Sequence, residues 1–196
     1  MNLSAEAAFR IAEAIAYFGG WIGVRLYFQQ KLGVVEKGDR RHEVREKIGY
    51  ALVSLAAVPV LLYVVTPWLD LAHVDLPSTV RWVAVAATVA GSALLIWTHA
   101  VLGRNWSGVL ELSKDHALVT EGPYRVVRHP MYSAFFLMAF GLLLSSANWV
   151  VGGGLIGSVA FMYFTRVADE ERMMQDRFGQ AYLSYMARTG RVLPKP

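Results

Sequence analysis

Residues 130–165 run for 36 positions without an Asp, Glu, Lys or Arg. As a single α-helix, at ~1.5 Å per residue, this stretch would extend roughly 54 Å. A bilayer's hydrocarbon core is ~30 Å thick and takes ~20 helical residues. The segment must therefore fold back on itself. The polar cluster Ser145-Ser146-Ala147-Asn148 sits at its midpoint, which predicts a tight hairpin of two short helices over residues 130–146 and 149–165. In the second arm, Gly152, Gly153, Gly154 and Gly157 give a small-residue face, and Gly153 and Gly157 have the spacing that allows close helix approach in lipid.

The rest of the chain repeats the pattern. Residues 48–69 carry no charge, and residues 82–102 have only His99 as an ionisable group. Only 17% of the 196 residues are charged and 55% are hydrophobic, whereas a soluble domain is about 25% charged. A water-soluble domain of this size could not bury so much apolar surface. The absence of cysteine excludes a disulfide scaffold or a thiolate metal site. Residues 7–28 hold Arg10, Glu13 and Arg25 among apolar and aromatic positions. They are read as a further span in preference to an interfacial amphipathic helix, with Arg10 and Glu13 close enough to pair on one face. No basic start precedes this stretch, so a cleaved signal peptide is not expected. The fold class is thus an all-α, polytopic membrane helix bundle of about five transmembrane helices ending in a cytoplasmic C-terminal helix.

Sixteen of the nineteen Lys and Arg fall in residues 31–47, 103–129 and 166–195. With five spans these three segments lie on one side. Short basic loops stay cytoplasmic, so the C-terminus is expected in the cytoplasm and the N-terminus outside. Orientation accounts for the basic excess, and nucleic acid is not expected as a partner.

Two clusters carry chemistry. The first, His116 to Tyr132, reads HALVTEGPYRVVRHPMY and leads directly into the hairpin. Gly122-Pro123 marks a turn, and Arg128-His129-Pro130 sets a cation and an imidazole at a helix start, where proline suits the first position. The second, Arg166, Asp169, Glu170, Glu171 and Arg172, lies where the last span emerges. Arg166 and Glu170, four apart, share a helix face. Both clusters fall on the same membrane side and can close a pocket. The following RMMQDRFGQAYLSYMARTGRVLP has the spacing of a surface or interfacial helix, with at most a lid or wall role. His42, His73 and His99 have no partners at metal spacing and are read as structural. No dinucleotide, Walker, HExxH or GxSxG motif occurs.

LVTEGPYRVVRHPMY, an uncharged hairpin with Asn148 at its turn, and then RVADEERMMQDRFGQAYLSYMARTGR resemble the isoprenylcysteine carboxyl methyltransferase family of integral membrane enzymes. The resemblance covers about residues 103–194, beginning at GRNWS, and divides the chain into N-terminal spans (1–102) and a methyltransferase core (103–196) within one integrated membrane domain. It implies S-adenosylmethionine as cofactor. It also implies cofactor contacts from His116, Ala117, Leu118, Val119, Tyr124, His129, Pro130, Met131, Tyr132 and Glu170, and a substrate contact from Arg166. Two positions depart from the family pattern. Ala134 stands where glycine is common, and Val109 stands where many members carry a polar cofactor contact.

The activity implied is methyl transfer to a small or lipid-linked acceptor, foremost an isoprenylcysteine-like carboxylate. An α-carboxylate, with an intrinsic pKa of ~3.3–3.7, is already an anionic nucleophile, so no catalytic base and no metal are expected. Phospholipid N-methylation or thiol S-methylation are alternatives that require proton removal. A sterol-type reductase using NADPH, or a membrane scaffold without catalysis, are alternatives of different classes.

Overall fold

The computed structural model describes residues 3–32, 39–40, 43–103, 111–112 and 117–195. Six helices account for most of them: α1 (Leu3–Leu32), α2 (Glu43–Val65), α3 (Ser78–Leu102), α4 (Pro130–Ser146), α5 (Trp149–Phe178) and α6 (Gln180–Arg188). Short 3-10 turns occur at Asp70–Ala72 and Gly122–Arg125. One two-residue antiparallel pairing, Asp39–Arg40 with Glu111–Leu112, ties together two segments at one end of the bundle.

Helices α2, α3 and α5 are long and apolar enough to cross a membrane, and α4 is a shorter apolar helix. The helices run up and down in sequence. Ser158 Oγ of α5 donates to the Leu52 carbonyl of α2, and Gly141 of α4 faces Thr88 and the Ala84 carbonyl of α3. Gly91 of α3 lies in turn against Met138 and the Ala134 carbonyl. A glycine on each helix thus lets α3 and α4 approach backbone to backbone, with small Ala134 fully buried at the seam. The core, built on Tyr63, Leu95, Met138, Leu142, Val151 and Leu155, lies where α2 to α5 meet.

The hairpin forms where the polar break lies. Ala147 turns in the left-handed region (φ 50°), and Asn148 caps α5, its Oδ1 accepting from the Val150 and Val151 amides at 3.1 and 3.2 Å. Its Nδ2 donates to the Leu69 carbonyl at 2.6 Å, fastening the turn to the preceding loop. Two expectations about the hairpin are corrected. α5 does not stop at residue 165 but runs on to Phe178, because nothing in RVADEERMMQDRF breaks a helix before Gly179 (φ 52°). The close approach to α4 falls on Gly152, whose missing Cβ leaves room for the Leu143 backbone, while Gly153 and Gly157 have nothing within 4 Å.

α1 packs along α3 in the same direction, with Phe9 against Trp82 and the Ala16 carbonyl accepting from Ser92 Oγ. Its polarity is inverted relative to an interfacial helix. Ile11 and Ile15 are exposed (59% and 69%), whereas Glu6 and Glu13 are buried. An interfacial helix turns its charges to water. α1 turns them inward, toward α3, and packs as a member of the helix bundle. The expected Arg10–Glu13 pair does not form. Arg10 ion-pairs with Glu6 and Asp70 and donates to the Tyr63 and Thr66 carbonyls, while Glu13 faces Thr88. Arg81, buried at the start of α3, clamps both Glu6 oxygens (2.7 and 3.2 Å) and the Ser145 carbonyl (2.7 Å). This ionic lock closes the end of the bundle opposite the two chemical clusters.

Candidate functional site at the start of the hairpin

The segment leading into α4 is held by its own turn chemistry. Gly122 adopts φ 55° and packs on Trp97 and Val101 at the end of α3. Behind it Pro123 and Tyr124 are buried, and the Tyr124 carbonyl accepts from the Tyr185 hydroxyl of α6 at 2.7 Å. Burial, with Glu170 and Tyr185 nearby, pushes the Tyr124 phenol well above its ordinary range. The chain then runs beside the C-terminal tail. The Arg128 amide donates to the Gly190 carbonyl (2.8 Å) and the His129 amide to the Arg191 carbonyl (2.9 Å). Pro130 opens α4 at a position where the amide it lacks is not needed.

His129, immediately before α4, carries its imidazole to α5. Nδ1 lies 3.5 Å from Glu170 Oε2 and Nε2 lies 3.4 Å from Glu171 Oε1. Arg166 Nε reaches the other Glu170 oxygen at 3.3 Å. Glu171 is ringed by cations, with Arg128 Nε at 3.0 Å and Arg191 Nη2 at 2.7 Å. The extension of α5 beyond the expected membrane edge makes this possible, since it carries Arg166, Glu170 and Glu171 on one rigid helix opposite the start of α4.

Electrostatics follow from the packing. Burial disfavours the His129 imidazolium, but hydrogen bonds and charge from Glu170 and Glu171 outweigh it and raise its pKa. Burial likewise opposes ionisation of both glutamates. His129 and Arg166 nevertheless hold Glu170 below its ordinary value, and His129, Arg191 and Arg128 bring Glu171 down to about 2. The two acids differ in access, for the Glu170 side chain is 26% exposed and that of Glu171 only 3%. Glu170, paired with His129 and Arg166, is therefore the more accessible of the two carboxylates, whereas Glu171 is enclosed among His129, Arg128 and Arg191. On the membrane side the cluster is backed by aromatic rings, Tyr132 and Phe136 each meeting Tyr163 edge-on at 5.5 and 5.8 Å between centroids.

Of the residues singled out in the sequence, His129, Arg166 and Glu170 meet directly, and Tyr124 is buried close by. Pro130 and Tyr132 are buried in the first turn of α4, with Met131 half-buried beside them. Ala117 is exposed, and Leu118 and Val119 are half-buried, in the irregular stretch before the 122–125 turn. His116 and Val109 lie outside the described residues. Ala134 faces α3 at the Gly91 seam. The C-terminal stretch is not one surface helix. Gly179 divides it, and Met173, Tyr182 and Tyr185 are buried. The sequence put Arg128 and Glu171 in the two clusters without assigning either a contact, and did not place Arg191 in the site. Their signals were the cation adjoining His129 and the doubled glutamate, while nothing local marked Arg191.

The model of the isoprenylcysteine carboxyl methyltransferase (ICMT) family matches residues 82–176, starting inside α3 and ahead of the stretch that carried the resemblance. A protein-S-isoprenylcysteine O-methyltransferase of Schizosaccharomyces pombe is 34% identical over 95 residues, 47% of this chain and 40% of that protein. The cobalt-zinc-cadmium resistance protein CzcN of Cupriavidus metallidurans is 31% identical over 97 residues, 49% of this chain and 44% of that protein. The chain thus spans less than half the length of either relative. The solved structure of the eukaryotic intramembrane Ras methyltransferase ICMT superposes with a TM-score of 0.54 at 22% identity, over 93% of this chain and 67% of that one. That likeness bears on the fold, an integral membrane helix bundle. The two chemical clusters, brought together in the fold, both lie inside the stretch, residues 82–176, that is similar to the isoprenylcysteine carboxyl methyltransferase family.

Proposed function

We propose that the protein is an S-adenosylmethionine-dependent methyltransferase that methylates the carboxylate of a lipid-linked, isoprenylcysteine-like acceptor at the cytoplasmic membrane face. The observation that carries this reading is the pairing of a half-open, ionised Glu170 with Arg166 beside His129, at the membrane edge of an aromatic cluster. The donor set fits the cofactor, since a carboxylate suits its ammonium and hydroxyl groups and the buried Tyr124 and half-buried Leu118 and Val119 suit an adenine ring. When bound, S-adenosylmethionine supplies a methyl group on a cationic sulfur. Glu170 and the first turn of α4 bind and orient that donor, and Arg166 orients the acceptor carboxylate. No residue need remove a proton, because the nucleophile is already an anion. The rings of Tyr132, Phe136 and Tyr163 exclude water and face the apolar part of an acceptor arriving from the bilayer.

Protein purified in detergent is expected to be stabilised against heat by S-adenosylhomocysteine. Glu170→Gln should weaken that ligand at least tenfold while folding normally. Methyl transfer to N-acetyl-S-farnesylcysteine should show a rate flat above pH 6, whereas a rise through a higher pKa points to an amine or thiol acceptor. Selective binding of NADPH, or no response to S-adenosylhomocysteine at saturation, overturns the reading.

A further inference from the structure

Glu170 and Glu171 are adjacent in sequence and opposite in surroundings. Glu171 meets Arg128, His129 and Arg191, and the last of these comes from the tail that follows α6. That tail is tied down at every step. Thr189 Oγ1 donates to the Tyr185 carbonyl at 2.7 Å, the Gly190 and Arg191 carbonyls accept from the Arg128 and His129 amides, and Ser133 Oγ donates to the Val192 carbonyl at 2.6 Å. The Arg128 guanidinium donates in addition to the Met186 and Thr189 carbonyls. Gly190 is required where it stands, because a Cβ there would collide with the Leu193 carbonyl. The tail therefore forms a strap laid across the two residues that launch α4, and its backbone fixes the direction in which His129 points.

We propose that residues 189–192 act as a positioning strap for the ligand site. Clamped by Arg191 to Glu171, the strap holds the His129 imidazole against Glu170, so that Glu171 and Arg191 are positioning residues and Glu170 is the ligand contact. The inference rests on the S-adenosylmethionine reading above. Two arginines anchor Glu171, Arg128 at Oε1 and Arg191 at both oxygens. The Arg128 side chain is 8% exposed and belongs to the core, whereas that of Arg191 is 51% exposed. Removing Arg191 thus loosens the strap without leaving Glu171 unpaired, which separates positioning from folding.

The test compares wild type with Arg191→Ala, Arg191→Lys and Gly190→Ala in detergent. It uses S-adenosylhomocysteine titration and, without ligand, hydrogen exchange of the peptide spanning residues 127–131. Arg191→Ala and Gly190→Ala are expected to exchange at least tenfold faster in that peptide and to bind at least tenfold more weakly. Arg191→Lys is expected to recover most of both. Faster exchange with unchanged affinity overturns the proposal, because the strap would then be structural only. Weaker binding with unchanged exchange also overturns it, because Arg191 would then touch the ligand itself. Should Arg191→Ala fail to fold, Gly190→Ala gives both readings. Failure of the wild type to bind S-adenosylhomocysteine is a separate outcome: it overturns the methyltransferase reading, and the strap's ligand role with it, whatever the exchange data show.

Discussion

At the scale of single residues, the site is a balance between burial and pairing. His129 between two glutamates has a raised pKa and is favoured as the imidazolium. A raised folded-state value contributes stability that is fully present below the ordinary histidine value of 6.5 and is lost as pH rises through the folded value. Glu171 works in the opposite sense. Its folded value of about 2 contributes stability that is present above its ordinary 4.5 and is lost as pH falls from there toward 2. Thermal unfolding in detergent should therefore show a maximum between about pH 5 and 6.5. His129→Asn should flatten the alkaline limb and also weaken the acidic one, because His129 helps to hold Glu171 low. An alkaline limb unchanged in that variant would mean that the imidazole is not charged by its neighbours. The residues legible in advance were His129, set at a helix start, and Arg166 with Glu170, four apart on one helix face. Arg191 was not legible, because an arginine twenty positions beyond Glu171 has no local mark of pairing with it.

At the scale of elements, the hairpin was readable because its break is chemical. Ser145 to Asn148 interrupts the apolar run, and Asn148 has the side chain a helix start requires. The end of α5 was not readable in the same way. Charge at Arg166 marks where the membrane face should lie, but a helix crosses that boundary freely when its residues favour helix. Which glycine meets a neighbour was also hidden, since the period of a helix allows several faces and only packing selects one. The consequence is a contrast between adjacent positions. Gly152→Ala should lower unfolding stability by about 1–3 kcal/mol through overpacking against Leu143. Gly153→Ala, with nothing near its Cβ, should be neutral or slightly stabilising. Equal effects at the two positions would contradict the packing of α4 on α5. α1 gives the same lesson in reverse. Its charges made an interfacial helix conceivable from sequence, and the turn of Glu6 and Glu13 toward α3 decides for the bundle.

At the scale of the whole molecule, the bundle has two unlike ends. One holds the lock of Arg10, Arg81, Glu6 and Asp70, and the other holds the two chemical clusters with the strap. The proposed function sets the second end at the cytoplasmic face, in line with the expectation from the placement of basic residues. The chain has no cysteine, so single substitutions report this orientation cleanly. Leu71 is 100% exposed at the lock end and Leu193 is 74% exposed at the strap end. A membrane-impermeant maleimide should label Leu71→Cys in intact cells and Leu193→Cys only after lysis. The reverse pattern would invert the proposed topology.

The sequence by itself determined the membrane class, the hairpin and its break, the basic side, and the two short motifs where chemistry is possible. These are properties of composition, period and boundary, which neighbouring residues carry among themselves. Only the tertiary structure decided which face of α1 turns inward, which glycine admits a neighbour, and that Arg191 returns to clamp Glu171 under the start of α4. Those outcomes depend on the direction in which distant helices present their side chains. That direction is set by packing the bundle as a whole, because a buried charge is tolerated only where another element brings its partner.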